Sequence, residues 1–311
     1  MIERPTKTGP VRPSPWDAIG VLFFCFVLGM VARGMFDSFV VMLRPLDESH
    51  DWDRDQLTAI YAIAMTCWGM GAPLAGWVFD RYGPRSVYLG GLFLMVGGML
   101  LASTDHGLWS CYLGPGVAVG TAGAMLGNVT HAALVSRWFD KRRAAALGLV
   151  HSSMGIGVLV FSPLSHLLID ELGWQLAYRW LAAIGLGILL PVVLFAPWKR
   201  FLRGNPAIMT SVNRRDPASG QDAGAERAQF TSLAGAMKTW YFWSLAWIYA
   251  TTGAGVYVAV TQQVDYFQTV GIPPLDAASL YGITGAMAPI GMIGFGFLAD
   301  RFGILPSATL S

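Results

Sequence analysis

The sequence predicts an all-α membrane protein built from two related halves, and three observations carry that reading. Of its 311 residues 54% are hydrophobic and only 13% charged, with a mean hydropathy of +0.49, which leaves too little polar surface for a chain solvated by water. The apolar residues gather in runs of about 20, the length needed to cross a hydrocarbon core, and lack the period-2 alternation of barrel strands. Such runs must satisfy their backbone groups internally, so they coil into helices. The turn Gly76-Trp77-Val78-Phe79-Asp80-Arg81-Tyr82-Gly83-Pro84-Arg85 is echoed by Gly296-Phe297-Leu298-Ala299-Asp300-Arg301-Phe302-Gly303. A short turn recurring between long apolar runs marks an internally repeated chain.

In order, residues 1–16 form a polar tail expected on the cytoplasmic side. The apolar run that follows is about 27 residues long, beyond the about 7–15 residues of a cleavable signal sequence, so it is expected to stay in the membrane. Residues 17–197 hold six runs, Asp17–Leu43, Gln56–Phe79, Ser86–Ser103, Leu108–Ser136, Ala144–Ile169 and Leu176–Pro197, predicting a six-helix N-terminal bundle. Residues 198–239 turn rich in Gly, Ala, Ser and charge of both signs, as a cytoplasmic linker does. Residues 240–311 hold two more runs, Trp240–Phe267 and Ala277–Ala299, the beginning of a second bundle. Glycines repeat along the fourth run (Gly114, Gly116, Gly120, Gly123, Gly127) and the eighth (Gly282, Gly285, Gly291, Gly294, Gly296), where small residues let helix backbones approach.

The basic residues orient the chain. With the N-terminus inside, seventeen of the 21 Lys and Arg fall in the tail, the even-numbered turns and the linker, while Arg44, Arg54 and Arg179 lie outside among many Asp and Glu. A multi-pass protein of the cell (inner or plasma) membrane is expected. Single cysteines at Asp51 and Ser219 test this: impermeant thiol reagent is expected to label Asp51→Cys and not Ser219→Cys in intact cells, and outside labelling at 219 would refute the topology.

Net charge is only +2 and no basic stretch is interleaved with aromatics, so nucleic acid is not an expected partner. Cys25, Cys67 and Cys111 are scattered in apolar runs and form neither a disulfide framework nor a metal site. There is no membrane-embedded nucleophile and base, metal-ligand spacing or phosphate loop, so an enzyme, a metal and a cofactor are all unexpected.

The pattern G-x-x-x-D-R-x-G-x-R, carried by Gly76, Asp80, Arg81, Gly83 and Arg85, resembles the loop signature of the major facilitator superfamily between helices 2 and 3; Asp300 and Arg301 resemble its looser copy between helices 8 and 9. The resemblance implies the fold of that superfamily, with these residues as a gating loop. Members continue through helices 9 to 12, so a chain ending at Ser311 is expected to be either a truncated gene product or an incomplete stretch of a longer chain, and not to transport alone. The stretch Trp138-Phe139-Asp140-Lys141-Arg142-Arg143-Ala144-Ala145-Ala146-Leu147-Gly148, with the later Gly157, resembles the signature of the monocarboxylate transporter branch. Trp138, Ala145 and Ser152-Ser153 depart from it, and the run Leu280–Ala299 lacks the Asp and Arg that animal members carry there.

Charge at membrane depth is costly, so each such group is a functional candidate. Arg33 lies about 15 Å from the predicted outer end of the first helix, half of a ~30 Å core. Asn128 and His151 lie at similar depth from the other side, and with Arg33 could converge on one cavity. Tyr257 and Gln262 on the seventh run are further lining candidates, while His131 and His166 read as packing residues. Asp37, one turn after Arg33, is the candidate for a coupling proton; alternatively Arg33 and Asp37 simply neutralise each other. The expected function is secondary transport of a small organic anion, a carboxylate first, by alternating access, with a proton or counter-anion as the coupling partner. The alternatives are an exporter of drug-like compounds and a non-transporting membrane protein.

Overall fold

The computed structural model describes residues 15–50, 52–139, 142–204, 235, 237–272, 287, 290–295, 297–298 and 301. They divide between two compact units, Met1–Ile208 with Gly285–Ser311, and Met209–Thr284. Among the described residues every regular element is helical. Among the described residues of the first unit, six spans are long and apolar enough to cross a membrane: Trp16–Leu43, Asp55–Tyr82, Pro84–Ala102, Leu108–Val135, Arg143–Leu172 and Trp174–Phe195.

The first span is the core of α1 (Pro15–His50), which opens with a proline in its first turn, where no intrahelical N–H is needed. Next comes α2 (Arg54–Tyr82), stopped by Gly83, whose φ of 81° suits a residue without Cβ and whose N–H caps Phe79 O at 2.9 Å. Pro84 then starts α3 (Pro84–Ala102) at once. The same device, Gly173 at φ 78°, joins α7 (Arg143–Leu172) to α8 (Trp174–Phe195). Across each single-residue joint the two helices pack against each other.

Three stretches depart from the sequence reading. The acidic segment Asp47–Asp55, expected as a loop, is largely helical, because α1 continues through Pro45 to His50; fully buried Met42 and Leu46 anchor the turns that the proline weakens. The fourth run is not one helix. It consists of α4 (Leu108–Cys111), a π-helical segment Tyr112–Val119, α5 (Gly120–Met125) and α6 (Asn128–Val135). Pro115 has no N–H for the regular ladder, and the wider π turns absorb that loss. The stretch expected as linker begins instead with α9 (Trp198–Arg203), because Trp198 and buried Phe201 pack back on the bundle: each ring stands edge-on to Phe24, at 5.2 and 5.5 Å.

Within the bundle α1 packs chiefly on α7, α3 on α8 and on the π segment, and α2 on the π segment and α5. Close approach needs small residues, since lipid supplies no hydrophobic drive between helices. Gly98 and Gly114 meet backbone to backbone, a Cβ on Gly98 falling 2.8 Å from Gly114 O. At the end carrying the Lys/Arg-rich turns, Arg137 joins three connections: its guanidinium lies 5.8 Å from the Phe79 ring, and its Nη1 donates to Leu202 O at 3.4 Å. In the second unit the seventh run forms α10 (Trp240–Thr269). The eighth run lies mostly outside the described residues.

Candidate functional site

Halfway along the 36 residues of α1, Arg33 and Asp37 occupy successive turns of one face, as an i, i+4 spacing dictates. Arg33 Nε donates to Asp37 Oδ2 at 2.5 Å, and both side chains are largely buried, 18% and 10% exposed. The guanidinium also rests on two aromatic faces, 5.4 Å from the centroid of Phe36 and 5.3 Å from that of Trp68, which themselves meet edge to face at 4.7 Å. Tyr61 of α2 adds a third ring, 6.0 Å from Phe36. A cation over the negative face of a ring gains most where water is scarce. Charge is thus held by one carboxylate and two rings instead of by solvent.

The aromatic wall is not legible from charges and glycine spacing, neither of which singles out Trp68. A signal was present. Gly123 and Gly127 are one turn apart in the fourth span, and a Cβ on Gly123 would lie 2.5 Å from Trp68 Cε3. That pair of glycines is the slot for the indole, and the indole is a wall for Arg33.

The other candidates belong to other helices. Asn128 is exposed as the first residue of α6, following Gly127, whose extended backbone breaks the span. His151 of α7 is half-buried, and its Nε2 has no protein partner. Tyr257 and Gln262 belong to α10, in the other unit, and their side chains lie outside the described residues. Of the loop signature, Gly76, Asp80 and Arg81 occupy the last turns of α2; Gly83 supplies the break and Arg85 the first turn of α3. Asp80, Arg81 and Arg85 are exposed, with the Arg81 guanidinium 5.7 Å from Trp77 and 5.8 Å from Tyr82. Arg301 is exposed; Asp300 lies outside the described residues.

The described geometry is that of a helical bundle with an aromatic-walled ion pair at mid-helix and a Gly-Asp-Arg turn at its basic end, and known proteins share both sequence and fold. The family model described as Major Facilitator Superfamily matches residues 22–311. An MFS-type transporter of Gibberella moniliformis is 27% identical over 100% of this chain and 70% of its own length. Monocarboxylate transporter 13 of Bos taurus is 25% identical over 90% of this chain and 61% of its own. The fujikurins efflux protein of Gibberella fujikuroi is 30% identical over 76% of the chain and 46% of its own. The chain therefore spans about half to two thirds of the length of several relatives. In fold it is similar to the proton:xylose symporter XylE bound to 6-bromo-6-deoxy-D-glucose, with TM-score 0.64 at 13% identity, covering 92% of this chain and 70% of that one. With the family model matching nearly the whole chain, the chain belongs to the major facilitator superfamily, in which it resembles the monocarboxylate transporter branch.

Proposed function

We propose that the protein is a secondary transporter of a small organic anion, a carboxylate in the first instance, working by alternating access in the cell membrane with its N-terminus in the cytoplasm. The observation that carries this reading is the Arg33–Asp37 pair between Phe36 and Trp68. A permanent cation at mid-helix is costly in lipid unless it has a task. Guanidinium is matched in shape to a carboxylate. An arriving anion would compete with Asp37 for Arg33, and a displaced, buried Asp37 would then favour taking up a proton, which supplies a coupling route. Asn128 and His151 are proposed as further lining residues, and Tyr257 and Gln262 as substrate-binding residues of the second unit. The test is equilibrium binding of a panel of short-chain and aromatic monocarboxylates to the purified chain: saturable binding that Arg33→Gln removes supports the reading, and binding indifferent to Arg33 refutes it.

A second reading, export of a bulkier drug-like compound, is favoured by the aromatic wall of Phe36, Tyr61 and Trp68. Under it, binding strength follows the apolar area of the ligand and survives loss of the ligand's carboxylate.

The turn from Asp80 to Arg85 is proposed as a latch, because it stands at the basic end of the bundle, far along α2 from Trp68. A latch biases one of two states without touching the ligand. In a chain completed through its second bundle, Asp80→Asn is therefore expected to slow reconstituted transport about tenfold while equilibrium affinity in a fixed conformation stays within about twofold. A comparable fall in affinity would make the turn a binding element instead.

A further inference from the structure

We infer that Tyr88, His131 and Ser153 line a binding site for buried water, set between α1, α3, α6 and α7. The three side chains are 0%, 1% and 0% exposed; His131 Nε2 and Ser153 Oγ have no hydrogen-bond partner in the protein, and Tyr88 Oη has only the weak Cys25 thiol beside it. They come from three different helices, and His131 links the other two. The Tyr88 and His131 rings stack with centroids 5.9 Å apart and planes 22° from parallel. Ser153 and His131 meet over Gly29 of α1, where a Cβ would stand 2.5 Å from Ser153 Oγ and 3.4 Å from the His131 Cε1 that is bonded to Nε2.

The behaviour of Ser153 is the more telling because its neighbours behave otherwise. Buried serines in these helices return their hydroxyls to their own backbone: Ser38 to Met35 O at 2.6 Å, Ser152 to Leu149 O at 2.7 Å, Ser165 to Phe161 O at 2.7 Å. Ser153 has the same option and points at the cluster instead. Buried polar groups without adequate partners in a low-dielectric interior are costly. A buried water takes about two to four polar partners, which is what this point offers. Towards the basic end the site is closed by Phe24, edge-on to Tyr88 at 5.2 Å, and by Trp198, stacked on it at 5.9 Å. The Cys25 thiol beside Tyr88 is too weak a partner to replace water. Gly29 precedes Arg33 by one helical turn on α1, and the inference does not depend on what Arg33 binds.

The sign of a stability change tests it. Ser153→Ala and Tyr88→Phe each remove one polar atom and little else. If the groups hold water, each variant melts about 2–4 °C lower than the parent; if they are dry and unpaired, each melts at the same temperature or higher, which overturns the inference. Radiolytic footprinting of the unmodified chain in oxygen-18 water gives an independent reading that needs no variant to fold. Hydroxyl radicals born on a bound water are expected to label Tyr88 and His131 faster than Met95 and Met99, which are 0% and 1% exposed on the same α3. Labelling no faster than at those methionines likewise overturns it.

Discussion

Arg33→Gln is expected to weaken carboxylate binding by about two orders of magnitude, the usual consequence of truncating one side of a desolvated charge pair. Arg33→Lys keeps the charge but loses the planar fork and its fit to the Phe36 and Trp68 rings, so a loss of about tenfold is expected. Binding isotherms with the same panel of monocarboxylates measure both. The single variant carries a second, separable effect. It leaves Asp37 as a buried charge without its guanidinium, and breaking a buried pair from one side costs about 3–5 kcal/mol of stability. A melting curve recorded beside each isotherm keeps the two effects apart.

A large effect on folding, one of packing alone, is expected at Gly157. A Cβ there would overlap the carbonyl oxygen of Met30 and come within 3.1 Å of Gly34 N, and a Cβ on the facing Gly34 would in turn run into the ring of Phe161. This is the centre of the α1–α7 contact, the most extensive between described helices. Backbone cannot step aside as a flexible side chain does, so Gly157→Ala is expected to cost about 3 kcal/mol, the upper end for overpacking. Gly187 of α8 is the matched control, since nothing lies within 4 Å of a Cβ built there. Gly187→Ala is expected to stabilise by about 0.4–1 kcal/mol through the unfolded chain alone. Thermal melts in detergent report both, and equal responses would refute the packing argument.

Much of this molecule is legible in its sequence because lipid restricts the choices. A long apolar run has only the helix to adopt, so all six spans from Trp16 to Phe195 were readable from hydropathy, and the Gly83-Pro84 junction from turn chemistry. What hydropathy cannot report is how neighbouring helices use each other. Trp198 and Phe201 read as linker because they follow Pro197, yet their rings are needed to close the bundle around Phe24 and Tyr88. Leu126 and Gly127 break the fourth span within an apolar run that gave no warning, because the cause is local backbone geometry at a glycine. Arg33 and Asp37 announce themselves as charges in lipid, whereas Trp68 joins them only through the slot left by Gly123 and Gly127 on another helix. His131 read as a packing residue for the same reason: its neighbours Tyr88 and Ser153 are remote in sequence and meet it only in the fold.

The double variant Arg33→Gln with Asp37→Asn tests the central claim most directly, since it removes both charges and leaves neither stranded. Measured beside the parent chain for melting temperature and for equilibrium binding of the monocarboxylate panel, it is expected to recover most of the stability lost in Arg33→Gln and to bind no carboxylate. A double variant that is equally well folded and binds carboxylates as the parent does would reduce Arg33 and Asp37 to a structural pair and contradict the anion-transport reading.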